Sequence, residues 1–241
     1  KLLPSYREYD GYLITYSLDM RDVNSGFFHT HPWMSWQPLV QLIPYEEPEP
    51  SHLFYICCSW GIRAHDERYK TLMSLLDETS YTHFYGKKTF KSIYPNNYQH
   101  PIPLDGESVL KTIHKSGICL VLHSDAHIKS KIPSGRIFEA IASSSVVISD
   151  ENPFVMENFG DSILYVKQNS TGESLFRQID AHVQWILSHP EEAIEKTRKA
   201  YEIYKERFLL EDQLLRLEKF HEDILESRLG SSKESKREKP L

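Results

Sequence analysis

Long apolar runs, a signal-like amino terminus and net positive charge are all missing from this chain of 241 residues. No apolar run approaches the roughly 20 residues that a membrane-spanning helix needs, and the first residues, KLLPSYREYD, lack the apolar stretch of a signal peptide. The 28 lysines and arginines stand against 34 acidic residues, so the net charge of −6 provides no general positive field for a nucleic-acid backbone. These absences argue against integral membrane, exported and nucleic-acid-binding proteins.

Cysteine is scarce, and two common glycine-rich phosphate motifs are absent. Cys57, Cys58 and Cys119 lie in apolar runs typical of strands, where cysteine behaves as a small hydrophobic residue in a reducing compartment. We therefore expect a cytoplasmic protein. Neither GxGxxG nor GxxxxGK(S/T) occurs, which argues against dinucleotide-dependent oxidoreductases and P-loop kinases.

The apolar pattern that is present predicts an α/β fold. Hydrophobic residues make up 40% of the chain, enough for most of it to fold. From about residue 52, short β-rich runs alternate with helical patterns, which is typical of βαβ units on a parallel sheet. The predicted strands cover 52–58, 82–86, 118–123, 145–149 and 162–166. The predicted helices cover 65–78, 105–117, 135–144, 152–160, 172–190, 191–208 and 209–229. The sequence thus predicts a parallel sheet flanked by helices, with a helical C-terminal extension.

The two ends of the chain differ from this pattern. Within residues 1–51, GYLITYS (11–17) and LVQLIP (39–44) each predict a strand, and PYEEPEPSH (44–52) is typical of a linker. Two strands do not make an independent domain, so we expect this segment to belong to a neighbouring domain or to the edge of the main domain at 52–229. Residues 230–241 are charged and poor in apolar residues, which predicts a disordered tail.

The loops that follow the strands are the first places to look for a site, because open parallel sheets bind ligands beyond the carboxyl ends of their strands. In the loop after the strand at 52–58, Gly61 lies at the turn and Arg63 precedes the next helix. A helix start beside a guanidinium group makes an anion site. A tight turn with a solvated arginine is the alternative interpretation.

The strongest signal is the segment IPSGRIFEA, in which Ser134, Gly135 and Arg136 open the helix predicted at 135–144. Free amides at a helix start can hold a phosphate, and Arg136 adds positive charge. Glu139 follows Arg136 by three residues and so lies on nearly the same face, where its carboxylate can accept both hydroxyls of a ribose. The alternative is an N-capped helix with an Arg/Glu surface pair.

Further candidates are single polar side chains near the same strand ends. Asp150 follows the strand at 145–149, where it either binds sugar hydroxyls or caps the next helix. His123 flanks the predicted ligand loop and is a candidate for hydrogen bonding to a phosphate or for acid catalysis. His29 and His31 alternate on a strand-like segment, but no third ligand stands at metal spacing, so no metal is expected.

The stretch IPSGRIFEAIASSSVVISDENPFVMENFGDSILYV resembles the donor-binding segment of bacterial glycosyltransferases of the GT-B fold, whose second Rossmann-like domain carries a comparable P-S-R-x-F-E-A-x-A-x-G helix. The resemblance covers about residues 52–228. It implies the Rossmann-like C-terminal domain of an enzyme of polysaccharide biosynthesis that transfers a sugar from a nucleotide-sugar to a glycan, lipid-linked or protein acceptor. Residues 1–51 would then be the approach segment or the remnant of an N-terminal acceptor domain plus linker.

The resemblance also implies roles for individual residues. It places Glu139 at the ribose hydroxyls. The phosphates would meet Ser134, Gly135 and Arg136, and also the first loop with Gly61 and Arg63. The base pocket would be lined by Tyr85, Gly86 and Ile102. Because helix dipole and arginines would stabilise the leaving phosphate, no metal cofactor is implied.

Two departures from the family pattern bear on activity. Lys131 stands where many retaining members have a first glutamate, and Ser143, Ser144 and Ser145 replace the usual glycine after the helix. The acceptor domain often supplies the catalytic base, so we assign no catalytic residue. The alternative function is a non-catalytic nucleotide- or sugar-binding module that docks or regulates a partner.

A local basic cluster leaves two interpretations of the surface open. Lys196, Arg198 and Lys199 form it, within the helix predicted at 191–208. They either contact lipid phosphates at the inner face of the membrane or form a solvated helix face. The solvated face is the preferred interpretation.

Overall fold

The computed structural model describes residues 13–15, 33–35, 43–57, 66–167 and 170–237. Its strands are β1 Leu13–Thr15, β2 Trp33–Ser35, β3 His52–Ile56, β4 Thr82–Tyr85, β5 Gly117–Val121, β6 Val146–Asp150 and β7 Leu164–Val166. Strands β3 to β7 form one parallel sheet in the order β4-β3-β5-β6-β7. The central strands β5 and β6 are buried along their whole length, as their continuous apolar runs predict.

A single residue extends this sheet beyond β4. Tyr98 forms an isolated parallel bridge with Phe84. The Phe84 N–H donates to the Asn97 carbonyl at 3.0 Å, and the Gln99 N–H donates to the Phe84 carbonyl at 2.9 Å. The carboxylate of Asp77 anchors this turn by accepting from the Asn97 N–H at 2.9 Å. Tyr98 can be counted as a one-residue strand beside β4. If the strands of this sheet are then numbered in chain order starting from β3, the strand order is 3-2-1-4-5-6, which is the order of the Rossmann fold.

Helices connect and follow the strands. They are α1 Glu67–Asp77, α2 Ser108–Ser116, α3 Asp125–Lys129, α4 Gly135–Ala142, α5 Pro153–Phe159, α6 Gly172–Ser188, α7 Pro190–Arg207 and α8 Leu210–Arg237. The side chains that accept a backbone N–H at the starts of α1, α3, α4, α5 and α6 are Asp66, Ser124, Ser134, Asn152 and Thr171. Such caps satisfy the free N–H groups of a first helical turn and so fix where each helix begins.

The hydrophobic core lies on both faces of the sheet. Alternate residues of β5 separate the two halves: Ile118 and Leu120 pack with α1 and α6, whereas Cys119 and Val121 pack with α2, α4, α5 and α7. Large side chains such as Tyr204 on α7 are fully buried, and each contributes roughly 1.5–3 kcal/mol through the apolar area it removes from water. The predicted parallel sheet with helices on its faces is therefore confirmed.

Residues 43–50, here called the strap, run along the amino-terminal edge of the sheet. The Tyr201 hydroxyl donates to the Ile43 carbonyl at 2.6 Å, and the hydroxyls of Tyr45 and Thr197 lie 2.8 Å apart. Near the end of the strap, Pro50 packs directly against Gly117, which has the left-handed φ of +76°. Gly117 ends α2 as a left-handed C-cap, as its place after the predicted helix indicates.

The amino-terminal strands differ in part from the prediction. β1 lies within the predicted strand 11–17, and it pairs in parallel with β2 at 33–35. That second strand is a correction, since the sequence pattern predicts a strand at 39–44 instead. Residues 43 and 44 are not in a strand, and residues 39–42 lie outside the described part of the chain. The prolines near β2 make its sequence atypical of a strand, because proline is rare inside strands. A short strand between two prolines is still possible.

The carboxyl-terminal helix also extends further than the pattern indicates. α8 continues to Arg237, into the segment 230–241 for which the sequence predicts disorder. The division of the chain into 1–51, 52–229 and 230–241 stays a prediction. None of the helices in the described ranges is long and apolar enough to cross a membrane.

Candidate functional site

The strand order locates the candidate site at the carboxyl edge of the sheet. The chain passes from β3 to β4 on one side and continues with β5 on the other side of β3. Such a reversal opens a crevice between the carboxyl ends of β3 and β5. The loop after β5 and the start of α4 lie at this edge, together with the end of β6 and the turn after β4.

The start of α4 leaves its backbone open to a bound group. Ser134 is the N-cap, and its hydroxyl accepts from the Arg136 N–H at 3.3 Å. Gly135 is the first helical residue, and a Cβ built on it would meet no atom within 4 Å. A bound group can therefore approach the backbone closely here, at the positive end of the helix dipole.

Arg136 and Glu139 form an ion pair on α4 between Nη1 and Oε2. Both side chains are mostly buried, with about a fifth of each exposed. Burial raises the pKa of the Glu139 carboxyl above its usual value, and the neighbouring Arg136 guanidinium partly offsets that rise. The predicted alternative of a capped helix with an Arg/Glu pair is thus present in its geometry, but the pair is partly desolvated, so its charges interact more strongly than a surface pair would.

The thiol of Cys119 on β5 is close enough to this pair to feel both of its charges. Complete burial raises the pKa of Cys119 to about 12, with Arg136 lowering it and Glu139 raising it further. The thiol therefore stays protonated at neutral pH and acts as a small apolar residue. Cys119 packs in the same core cluster as Ile137 and Phe138 of α4.

The turn after β4 brings together the residues assigned to the base pocket. Tyr85 stacks on Phe54, with ring centroids 4.9 Å apart, and meets the His100 ring edge-on at 5.4 Å. Gly86 has φ +136°, and a Cβ there would lie 2.9 Å from the Cys57 carbonyl oxygen, so only glycine fits without strain. The Gly86 N–H donates to the His100 carbonyl at 3.4 Å. Ile102 is partly buried against the same core face as Tyr85.

His123 and Asp150 lie side by side at the ends of β5 and β6. The Asp150 carboxylate accepts from the His123 backbone N–H at 2.6 Å, and its other oxygen lies 2.5 Å from His123 Nδ1. His123 is 0% exposed and Asp150 is 1% exposed. The sequence places both near the ligand but does not reveal that they bind each other. The cap of α5 is Asn152, not Asp150, so the capping alternative for Asp150 is wrong.

Several sequence candidates fall outside the structure's description. Gly61 and Arg63 lie in 58–65, and His29 and His31 lie before residue 33, so none of them is in the described part of the chain. Among the residues that are described, no group of three or more His, Cys, Asp or Glu side chains could hold a metal ion.

Two positions that depart from the family pattern have left-handed backbones. Lys131 has φ 54°, and Ser144 has φ 56°. Ser144 occupies the place where the family motif has glycine, so the left-handed conformation explains why glycine is usual there. Periodicity alone does not reveal a positive φ, although the motif's glycine was a signal for it.

The basic cluster on α7 makes contacts within the protein. Lys196 donates to the Asp161 carbonyl at 2.5 Å, and Arg198 pairs with Glu47 of the strap and with Glu195, both at 2.5 Å. The two glutamates offset the charge of Arg198, which supports the interpretation of a solvated helix face at this residue.

Several solved glycosyltransferase structures share this fold. A glycosyltransferase from Rickettsia africae matches with a TM-score of 0.63 at 14% identity, covering 93% of this chain and 68% of its own. TarM matches with a TM-score of 0.62 at 12% identity, covering 89% of this chain and 44% of TarM. The pneumococcal O-GlcNAc transferase GtfA, solved with UDP and GlcNAc, matches with a TM-score of 0.58 at 13% identity, covering 92% and 46%. The chain therefore spans less than half the length of TarM and GtfA, and the likeness shows the GT-B Rossmann-like fold.

Sequence comparison identifies the family. No curated protein matches the chain significantly. A family model described as "Glycosyl transferase-like" does match residues 68–219, which include the start of α4 and the ends of β5 and β6. That range is more than half of the chain, and it confirms the prediction drawn from the IPSGRIFEA segment. The chain belongs to the glycosyl transferase-like family.

Proposed function

We propose that this chain is the donor-binding half of a GT-B glycosyltransferase. It binds a nucleotide-sugar and contributes to transfer of the sugar to a glycan, lipid-linked or protein acceptor. The observation that supports this most is the start of α4, where Ser134 and Gly135 leave open space at the positive end of a helix. The diphosphate of the donor is the chemical group that such a site suits.

The Arg136–Glu139 pair offers one charged side chain to the diphosphate of the donor and the other to its ribose. Arg136 would turn from Glu139 toward the diphosphate, and the freed carboxylate would accept the two hydroxyls of the ribose. Bidentate contacts of this kind are strong, because a charged group takes part in each hydrogen bond. Burial already raises the pKa of Glu139, so its carboxylate would be destabilised if Arg136 moved away before the ribose hydroxyls bound. Binding of the diphosphate to Arg136 and binding of the ribose to Glu139 are therefore coupled.

In the transfer itself, the bond between the anomeric carbon and the phosphate oxygen breaks, and its electron pair stays on the nucleoside diphosphate. The acceptor hydroxyl passes its proton to a general base as its oxygen bonds to the anomeric carbon; we assign this base to the acceptor domain and not to a residue of this chain. The α4 dipole, Arg136 and Arg63, which belongs to the segment 58–65 after β3, would stabilise the charge that develops on the leaving diphosphate. In this proposal these groups supply the positive charge, and no divalent metal is required.

The remaining assignments follow from the turn after β4. Tyr85, Gly86 and Ile102 would contact the base, and the close approach of Gly86 to His100 supports a shared pocket.

The low cysteine content supports a cytoplasmic location. A lipid-linked acceptor would bring the protein to the inner face of the membrane.

The test is calorimetric titration with UDP, GDP, ADP and CMP, followed by their common sugar conjugates. We expect one nucleotide to bind selectively, and Glu139→Ala to weaken that binding by about tenfold or more without unfolding the protein, because about 1.4 kcal/mol corresponds to a factor of ten. Arg136→Ala should weaken binding as well. Transfer or hydrolysis of the matching sugar conjugate would then establish activity, whereas binding without either would favour the non-catalytic module.

A matched control comes from α7. Glu195 and Arg198 are also three residues apart and form an ion pair at 2.5 Å, but they lie outside the proposed site. Glu195→Ala should leave nucleotide affinity unchanged. Equal effects of Glu195→Ala and Glu139→Ala, or unchanged affinity in a folded Glu139→Ala variant, would refute the assignment of the site.

A further inference from the structure

The segment from β5 to α4, residues 123–134, is held at its first end by Asp150. One carboxylate oxygen accepts from the His123 backbone N–H at 2.6 Å, and the other lies 2.5 Å from the His123 ring nitrogen Nδ1. Tyr69 adds a weaker hydrogen bond, donating to the His123 carbonyl at 3.4 Å. Because Asp150 and His123 are almost completely buried, solvent does not compete with these contacts.

The other end of the same segment is held by Asn152. Its Nδ2 donates to the Ile132 carbonyl at 2.9 Å. Its Oδ1 accepts from the N–H groups of Phe154 and Val155 and so caps α5. Asn152 is 0% exposed, and its side chain therefore uses both polar atoms in a dry environment, where losing either contact is expensive.

Two residues that are two positions apart therefore fix both ends of a twelve-residue segment. That segment ends at Ser134, which caps α4, and Glu139 follows about one turn later. A shift of Ile132 would move the start of α4 relative to β5. Binding sites of this type lose affinity steeply when their groups move by even about 1 Å.

We propose that Asp150 and Asn152 form a clamp that positions the 123–134 segment, and with it the start of α4, for donor binding. The inference rests on the proposed function, since it assigns the clamp to that site. Neither residue contacts the donor in this mechanism; both are positioning residues that act through His123, Ile132 and Ser134.

Asn152→Asp is the most selective variant, because the two side chains have the same shape. The aspartate keeps an oxygen that accepts from Phe154 and Val155, and a carboxylate is also favoured at a helix start. It loses the N–H that donates to Ile132 and places oxygen against oxygen there. Asn158→Asp is the matched control, since Asn158 donates to the Phe154 carbonyl within α5 and does not hold the 123–134 segment.

Asp150→Asn tests the first end independently and keeps the experiment decisive if Asn152→Asp does not fold. The two oxygens of Asp150 each meet one nitrogen of His123. An asparagine replaces one of these oxygens with an NH2 group, which donates and does not accept, so it cannot keep both contacts as N–H···O bonds in this geometry. We expect this variant to loosen the start of the segment, whereas Asn152→Asp loosens its end.

The experiment combines amide hydrogen exchange with nucleotide titration of the whole 241-residue chain. The N–H groups of Ile128, Ser130 and Ile132 are hydrogen-bonded inside the segment, so their exchange reports on it without any ligand. We expect about tenfold faster exchange there in Asn152→Asp, unchanged exchange in β5 and β6, and about tenfold weaker binding of the nucleoside diphosphate. Asn158→Asp should change neither quantity.

The outcomes separate the clamp from the function. Unchanged exchange in both folded clamp variants would overturn the clamp. Faster exchange with wild-type nucleotide affinity would overturn its role in donor binding. If the wild-type protein binds none of the four nucleotides, the proposed function fails, and the exchange data still decide whether the clamp holds the segment.

Discussion

Replacing Gly117 with alanine should destabilise the fold more than any other single added methyl group at a described glycine. Gly117 has φ +76°, which costs an L-residue roughly 1–2 kcal/mol. An added Cβ would also lie 2.6 Å from the Cα of Pro50 and 2.7 Å from the carbonyl oxygen of Glu49. Both atoms belong to the backbone of the strap, so neither can turn aside as a side-chain tip could.

The expected cost combines these two terms. The steric term is of the size of core overpacking, about 1–3 kcal/mol, because the strap would have to move off the sheet edge and strain the hydrogen bond from the Ser51 N–H to the Ser116 carbonyl at 3.2 Å. The smaller entropy of unfolded alanine returns about 0.4–1 kcal/mol. We therefore expect Gly117→Ala to lower the free energy of unfolding by about 2–4 kcal/mol.

Two other glycines separate the terms. Gly106 has φ +79° with no atom within 4 Å of an added Cβ, so Gly106→Ala measures backbone strain alone. Gly172 has no positive φ, but its Cβ would lie 2.5 Å from the Arg68 carbonyl oxygen, so Gly172→Ala measures the steric term alone. Because each control variant also carries the entropy gain described above, the cost of Gly117→Ala should exceed the sum of the two by about 0.4–1 kcal/mol.

Equilibrium unfolding in urea is the assay, with the m-value as a check that the unfolded state has not changed. If Gly117→Ala costs no more than Gly106→Ala at equal m-values, the strap yields freely, and the view that it is fixed along the sheet edge is wrong.

Two further predictions concern backbone strain and pH. Ser144→Gly should stabilise the fold by about 0.5–1 kcal/mol, because glycine relieves the φ of 56° and only a 3.4 Å hydrogen bond from the Glu46 N–H is lost; a melting temperature no higher than that of Ser144→Ala would contradict this. Burial, with the adjacent His52 ring, lowers the pKa of His83 to about 4. Since unfolded histidine titrates near pH 6.5, the stability that neutral His83 contributes is complete above that pH and is lost as the pH falls toward 4. After allowance for solvent around the half-buried ring, wild type should lose about 1 kcal/mol more than His83→Gln between pH 7 and 4.5. Equal losses in urea titrations at the two pH values would argue against a lowered pKa.

The sequence predicts best where one physical signal dominates. β5 and β6 are buried on both faces, so their continuous apolar runs define them within two residues at either end. Gly117 marks the end of α2, and the PSGR segment marks the start of α4, because each has a distinct backbone requirement. Families share such local requirements, which is why a short segment sufficed to predict the family.

Contacts between distant segments escape the same reasoning. Nothing in the spacing of Asn152 and Ile132 indicates that their side chain and carbonyl meet, and the bridge at Tyr98 is a single residue without any strand pattern. The helix α3 spans only Asp125–Lys129, too short for periodicity, although Ser124 before it is a recognisable cap. These features depend on how the folded chain brings loops together, and a pattern along one segment does not contain that information.

The one-residue strand at Tyr98 limits how other molecules can pair with the edge of the sheet. The turn around it occupies outward-facing backbone groups of Phe84 and Gly86 on the β4 side of the sheet, and Pro95 and Pro101 on either side offer no N–H for another strand. The opposite border, β7, is only three residues long. Within the described part of the chain, neither border of the five-stranded sheet offers a long row of free donors and acceptors, so another molecule has little backbone to pair with at this sheet.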